Sequence, residues 1–246
     1  MKITKNNFNL SLILVSGLIL LICFGARAQP APGVFVLGGI HQGHETAKYY
    51  TYKRMGEIYQ LLKPDVLCVE TQQKHVEDGS FRGTPYDFIN FMIPLAQKDQ
   101  TPIYGIDWWD NEQGEKWREL QRKAYNDTTI YSEIILIGGL FSLFDGYFKN
   151  KDFREINSRY ITRLWKAKNE FKYHVFNQYS EYVFIVQYEN ERNNHIVENI
   201  LKVIAENPGK NILVAIGIDH KYYIEDKLEE YGVRVYQVEE FEQFAE

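Results

Sequence analysis

Two turns of the same pattern, Gly38-Gly39-Ile40-His41 and Gly217-Ile218-Asp219-His220, stand near opposite ends of the chain, and each follows a short apolar run. Residues 34–37 and 212–216 are rich in β-branched side chains and bounded by Gly and Pro. That is the pattern of buried parallel strands rather than helices. Glycine lets the backbone turn sharply where such a strand ends. In an open α/β sheet, ligands and chemistry collect at the carboxyl ends of the strands, so two histidines placed there can face one pocket.

Two further runs repeat the arrangement. Val66-Leu67-Cys68-Val69 ends at Glu70, and Pro102-Ile103-Tyr104-Gly105-Ile106 ends at Asp107. An aspartate at such a place also serves as a helix cap, which is the plain reading of Asp107 and Asp219; His and Glu are not usual caps. Between the strands lie a helical pattern over 46–63 stopped by Pro64, a polar loop over 71–84, and an apolar helix from Pro85 towards Lys98. The C-terminal part continues with an amphipathic pattern over 187–206, a stop at Asn207-Pro208-Gly209, a strand over 211–216, a helix over 221–230 and a last strand over 233–238. The class is therefore α/β, a mostly parallel sheet of about five or more strands with flanking helices and right-handed crossovers. From about 108 to 188 the strand signals vanish, and a helical insertion crowded with aromatics is expected to cover the carboxyl edge of the sheet or line a cleft. Within it, residues 134–144 form an apolar run too short to cross a bilayer, and an exposed patch there would meet membrane or a partner.

The first residues read as a targeting segment. Lys2 and Lys5 precede an apolar stretch over 10–25, and Ala26-Arg27-Ala28 has the small-x-small pattern cleaved by signal peptidase. Cleavage would leave residues 29–246 as one domain, exported to the periplasm or secreted; an uncleaved anchor is the competing reading. The mature chain would carry 25 basic against 33 acidic residues, a net charge of −8, which argues against a nucleic-acid partner. Only Cys68 would remain, so no intrachain disulfide forms. A G-x-S-x-G elbow, H-E-x-x-H, C-x-x-C, a P-loop and G-x-G-x-x-G are all missing, so readings as a serine hydrolase, zincin, nucleotide hydrolase or dinucleotide enzyme lose ground.

With Val36-Leu37-Gly38-Gly39-Ile40-His41, Pro64-Asp65-Val66-Leu67-Cys68-Val69-Glu70, Glu191-Arg192-Asn193 and Ala215-Ile216-Gly217-Ile218-Asp219-His220 in this order, the chain resembles the TraB/Tiki/GumN group. That superfamily includes erythromycin esterase and ChaN-type haem-binding lipoproteins, and His41-Gln42-Gly43-His44-Glu45 is similar to the esterase pattern of His followed four residues later by Glu. The resemblance implies hydrolysis of a small-molecule, ester or peptide substrate at a site of His41, His220 and Glu70. Tiki-type members work with a metal and the esterases without one. As ligands, His41, Glu70 and His220 would give a divalent ion such as Zn²⁺ or Mn²⁺ three protein contacts and leave a position for water. Without a metal, His41 would act as general base, oriented by Glu45 or Glu70.

Arg192 would hold an anionic transition state, orient Glu70 bidentately, or pair with Glu189 on its own helix. Asp107 would support the site, Trp108 and Trp109 would wall it, and His44 is open to a ligand, a substrate-contact or a surface role. His195 reads as packing or surface, and His75 and His174 as solvated. A reading of another class makes the protein a non-catalytic binder of haem or iron, through His41, His44, Tyr49 or Tyr50.

Overall fold

A computed structural model describes residues 33–245, and these form one compact unit. The targeting segment lies outside the described residues. Five strands, β1 (Val34–Gly39), β2 (Val66–Val69), β3 (Ile103–Gly105), β4 (Ile212–Gly217) and β5 (Val235–Tyr236), make one all-parallel sheet in the order β3-β2-β4-β1-β5. Successive side chains of a strand point to opposite faces, and here both faces are covered. Phe35, Leu37, Leu67 and Leu213 enter one core, while Val34, Val36, Val66 and Ile212 enter the other. Burial on both sides explains why these strands are apolar throughout rather than alternating.

The first crossover runs through a 3₁₀ turn (His41–Glu45) and helix α1 (Tyr52–Leu62). The expected helix over 46–63 begins later because Thr51 caps it, its side chain accepting from the Arg54 N–H. It ends at Lys63, whose φ of 43° precedes Pro64. A short helix α2 (Gln73–Glu77) follows β2, and the expected helix from Pro85 is two pieces, α3 (Tyr86–Phe91) and α4 (Ile93–Asp99). Pro94 lies in the first turn of α4, where its missing N–H costs nothing, and it prevents α3 from running on.

The insertion holds α5 (Asn111–Tyr125), α6 (Tyr131–Phe148), α7 (Phe153–Ile156) and α8 (Arg159–Asn177). Ala124, Ile130, Ile137, Phe176 and Ile185 form a core of their own beneath these helices. The apolar run over 134–144 is the middle of α6 and not a separate element, and the helix with its preceding turn reaches 21 residues. Helix α9 (Val183–Glu206) starts four residues before the expected position and carries the chain from the insertion back to the sheet. Helix α10 (Ile218–Glu230) follows β4 directly, and α11 (Phe241–Ala245) closes the described chain. The last strand is only two residues, since Val238 already opens a 3₁₀ turn.

Candidate functional site

In β1 and β4, which are parallel neighbours, Gly39 stands opposite Gly217, so the two Gly-x-x-His turns leave the sheet side by side. On the other flank of β4, Val69 of β2 stands opposite Ala215, and Glu70 emerges beside Gly217, whose N–H donates to Glu70 Oε2 at 2.6 Å. β3 lies outside β2 and delivers Asp107. The carboxyl edge thus reads Asp107, Glu70, His220, His41 across the sheet.

His220 lies in the first turn of α10. Its Nδ1–H donates to Asn193 Oδ1 at 2.5 Å, and its Nε2 is 3.9 Å from Glu70 Oε1. Because the proton is on Nδ1, Nε2 carries a free lone pair. Burial and the nearby Arg192 charge push the His220 pKa down to about 4, outweighing the carboxylates. His41 is held on the opposite side of Glu70, with Nε2 3.7 Å from Oε2. Its Nδ1–H donates to the fully buried Asp87 of α3 at 3.2 Å. Burial alone would lower the His41 pKa, but the Asp87 hydrogen bond and the Glu70, Asp87 and Asp219 charges raise it to about 9. Burial likewise opposes ionisation of Asp87, and contacts with His41 and His44 override it, holding the carboxyl well below its usual range. At neutral pH the two imidazoles are therefore in opposite states, His41 charged and His220 neutral.

Arg192 joins the acidic side. Its Nε and Nη2 donate to the two Asp107 oxygens at 2.8 and 3.0 Å, and Nη2 also donates to Glu70 Oε1 at 3.1 Å. The bidentate pair thus goes to Asp107 rather than Glu70, and Glu189 is engaged elsewhere, with Lys172 at 2.7 Å. Asp107 caps no helix, since Asp110 caps α5.

The glycines of the two turns supply room rather than rotation. Gly217 has φ −57°, open to any residue. A Cβ there would lie 2.6 Å from His41 Nε2, and one on Gly39 would lie 2.6 Å from Asp87 Oδ2. The left-handed backbone falls instead on His41, at φ 47°, a conformation that a non-glycine residue keeps only where its surroundings enforce it.

Several expected residues take other places. Glu45 is exposed, and the carboxylate on His41 Nδ1 is that of Asp87. His44 is buried and faces no substrate space, its Nδ1–H donating to the Tyr50 carbonyl at 2.5 Å and its Nε2 lying 3.2 Å from the Ile40 nitrogen and 3.4 Å from Asp87 Oδ2. The buried Tyr50 hydroxyl donates to the Gly38 carbonyl, so neither His44 nor Tyr50 is free to take a haem iron. Trp108 stacks on His195, and Trp109 is the one that walls the cavities. His75 is partly buried on α2, whereas His174 is exposed.

A cavity of about 290 Å³ opens on His220, Asn193 and Arg192, with Trp109, Trp117 and Tyr188 among its aromatic walls. A second, of about 650 Å³, lies across Arg192 and Asp107, with Lys74 and Arg82 at its rim. Asn157, between α7 and α8, grips the end of β1 by accepting from the Gly38 N–H at 2.6 Å and donating to its carbonyl.

The residues do not fit the expected three-ligand metal centre. Among the described residues no group of three or more His, Cys, Asp or Glu is arranged to hold a metal ion. Glu70 gives one oxygen to a backbone N–H and the other to a guanidinium, and the positive charge of Arg192 would oppose a dication there.

Sequence reasoning missed Asp87 and Asn157. Asp87 opens a helix, where an acid reads as a partner of the helix dipole, and Asn157 sits in an irregular turn. Asn193 was visible only as the neighbour of Arg192.

The chain matches no protein-family model, no curated protein and no solved structure.

Proposed function

We propose that this protein is a hydrolase that activates water without a metal, acting on an ester or related acyl substrate, in the manner implied by its resemblance to the erythromycin esterases. The observation that carries the reading is the pair of imidazoles flanking Glu70, one neutral with its Nε2 lone pair free, the other charged and locked by a buried carboxylate.

His220 Nε2 is the general base. It takes a proton from water as the water oxygen bonds to the substrate carbonyl carbon, while Asn193 keeps the ring in the tautomer that accepts. His41, expected from the sequence as the general base, is charged at neutral pH and so takes the acid's part instead, its Nε2–H giving a proton to the departing alkoxide as the carbon–oxygen bond breaks. The His41 side chain is 39 % exposed and lies across Glu70 from the His220 cavity, whose lining it does not join, so the substrate must extend past Glu70 to meet it. Glu70 lies within 4 Å of both rings and balances the imidazolium charge. Arg192 orients Glu70 and helps keep His220 neutral. The cavity beside His220, walled by aromatic rings and by Lys172, Glu189, Asn169 and Asp219, would hold a substrate that offers both ring-contacting and polar groups.

The test is hydrolysis of a panel of chromogenic aryl and alkyl esters. Activity requires His220 neutral and His41 protonated, so kcat/KM should rise through about pH 4, hold a plateau, and fall through about pH 9. Chelator should leave it unchanged, and His220→Ala should lower it by roughly 10²- to 10⁴-fold. Loss of activity with chelator, restored by a divalent ion, would return the metal reading; full activity in His220→Ala would end the present one.

A further inference from the structure

The wall of the cavity beside His220 is electrically balanced. Its charged groups are two cations, Lys172 and Arg192, and two anions, Glu189 and Asp219. Each has its counter-ion within the protein. Lys172 holds Glu189 at 2.7 Å, Lys168 holds Asp219 at 2.9 Å, and Arg192 holds Asp107 at 2.8 Å. An ionic ligand therefore meets no unpaired charge in this wall.

Hydrogen-bonding capacity, in contrast, is left over. Asn193 is 2 % exposed; its Oδ1 accepts from His220, and its Nδ2 has no acceptor among the described residues. Arg192 uses Nε and Nη2 but not Nη1. On the accepting side, Asp219 Oδ1 takes both Trp165 and Lys168, which leaves Oδ2 open on a side chain 54 % exposed. Gln121 gives its Nε2 to Glu189 at 3.1 Å, and its Oε1 has no donor among the described residues. Asn169 Oδ1 is buried without a donor as well. Buried polar groups in folded proteins are nearly always paired, so a cluster of unpaired ones around one cavity points to a ligand that meets them. Spare donors and spare acceptors together, with no net charge, match hydroxyl groups, each of which donates once and accepts twice.

The aromatic side of the cavity narrows the choice further. Trp109 stands at 85° to Trp117 and at 88° to Tyr188, with ring centroids 5.9 and 5.5 Å apart. Rings packed edge to face against one another leave no slot between parallel faces, which is what a flat heteroaromatic base would need. A saturated ring needs only one face, because its C–H bonds, made electropositive by neighbouring oxygens, rest on the negative face of an indole. At about 290 Å³ the cavity is at the small end for ligand sites, the size for one ring rather than a chain.

We propose that the cavity beside His220 binds the polyhydroxylated ring of a saccharide. Resting on the hydrolase reading above, this places the ring on the acyl side of the ester, since the departing oxygen has to reach His41 on the far side of Glu70. The substrate class is then the alkyl esters of sugar acids, which water splits into the sugar acid and an alcohol.

The test uses the full chain and two readouts. In saturation-transfer NMR, methyl glucoside or methyl galactoside should have its ring C–H protons saturated from the protein. The effect should persist in His41→Ala, which removes the proposed acid and lies outside the cavity wall. Trp117→Ala should abolish it and Gln121→Ala should weaken it; the partly exposed Gln121 of α5 carries this arm should Trp117→Ala not fold. In rate measurements, kcat/KM for the methyl esters of glucuronate or galacturonate glycosides should exceed that for methyl cyclohexanecarboxylate by about tenfold or more, because that ester has a ring of the same size without hydroxyls. Both variants should narrow the ratio. Equal rates on the two kinds of ester, with no saturation of either glycoside, would overturn the proposal and leave the hydrolase reading standing. Saturation of the glycosides with no ester hydrolysed would do the reverse. Saturation of adenosine but of neither glycoside would overturn the proposal in favour of a flat heteroaromatic ligand.

Discussion

A Cβ at position 217 would lie 2.6 Å from His41 Nε2 and 3.2 Å from Glu70 Oε2, and neither neighbour has freedom to retreat. His41 is held by Asp87 and by an enforced left-handed backbone, and Glu70 by the Gly217 N–H and Arg192. Gly217→Ala should therefore cost about 1–3 kcal/mol of stability, the usual cost of forcing an added carbon into filled space. Hydrolysis should fall by a larger factor than the stability loss explains, because the ring displaced is the proposed acid. Denaturant melts and steady-state rates on the same preparation check both parts. Wild-type rates in a stable Gly217→Ala protein would mean that the close approach of His41 to the strand end has no bearing on activity.

Among the secondary elements, the strand ends bring His220, Glu70 and Asp107 to the edge, but the helices decide what the histidines are. α3 contributes Asp87 to His41, and α9 contributes Asn193 to His220 and Arg192 to Glu70. Asp87→Asn keeps a side chain of the same shape and removes the charge, so two of the influences that raise the His41 pKa weaken together. The alkaline limb of the pH profile should then move down from about 9, with the acid limb near 4 little changed. Stability should fall by about 1–3 kcal/mol, since the hydrogen bond to the partly exposed His41 ring loses its charge but keeps a partner of the same shape. A pH profile in which both limbs stay in place would detach Asp87 from the chemistry and leave it a structural residue.

Across the whole molecule, the parallel architecture was legible because strands buried on both faces leave unbroken apolar runs, and the glycines after Leu37 and Ile216 marked where two of them end. His41, Glu70, His220, Arg192 and Asp107 were legible for the same reason, being the ionisable groups next to those ends or on the helix leading to one. The partners that fix their protonation were not, because Asp87, Asn193 and Asn157 reach the edge through tertiary packing of helices and turns that carry no local signal of a site. Glu45 and His44 illustrate the converse, since closeness in sequence to His41 suggested roles that the 3₁₀ turn denies by sending one to solvent and the other into the core. The proposed division of labour between the histidines rests on this assembled network and on no single segment. It is tested most directly by ¹⁵N NMR titration of the histidine rings in the folded protein. His41 should titrate near pH 9, and His220 should remain the neutral Nδ1–H tautomer down to about pH 4. Both rings titrating together near 6.5, or His220 holding its proton to higher pH than His41, would contradict the account.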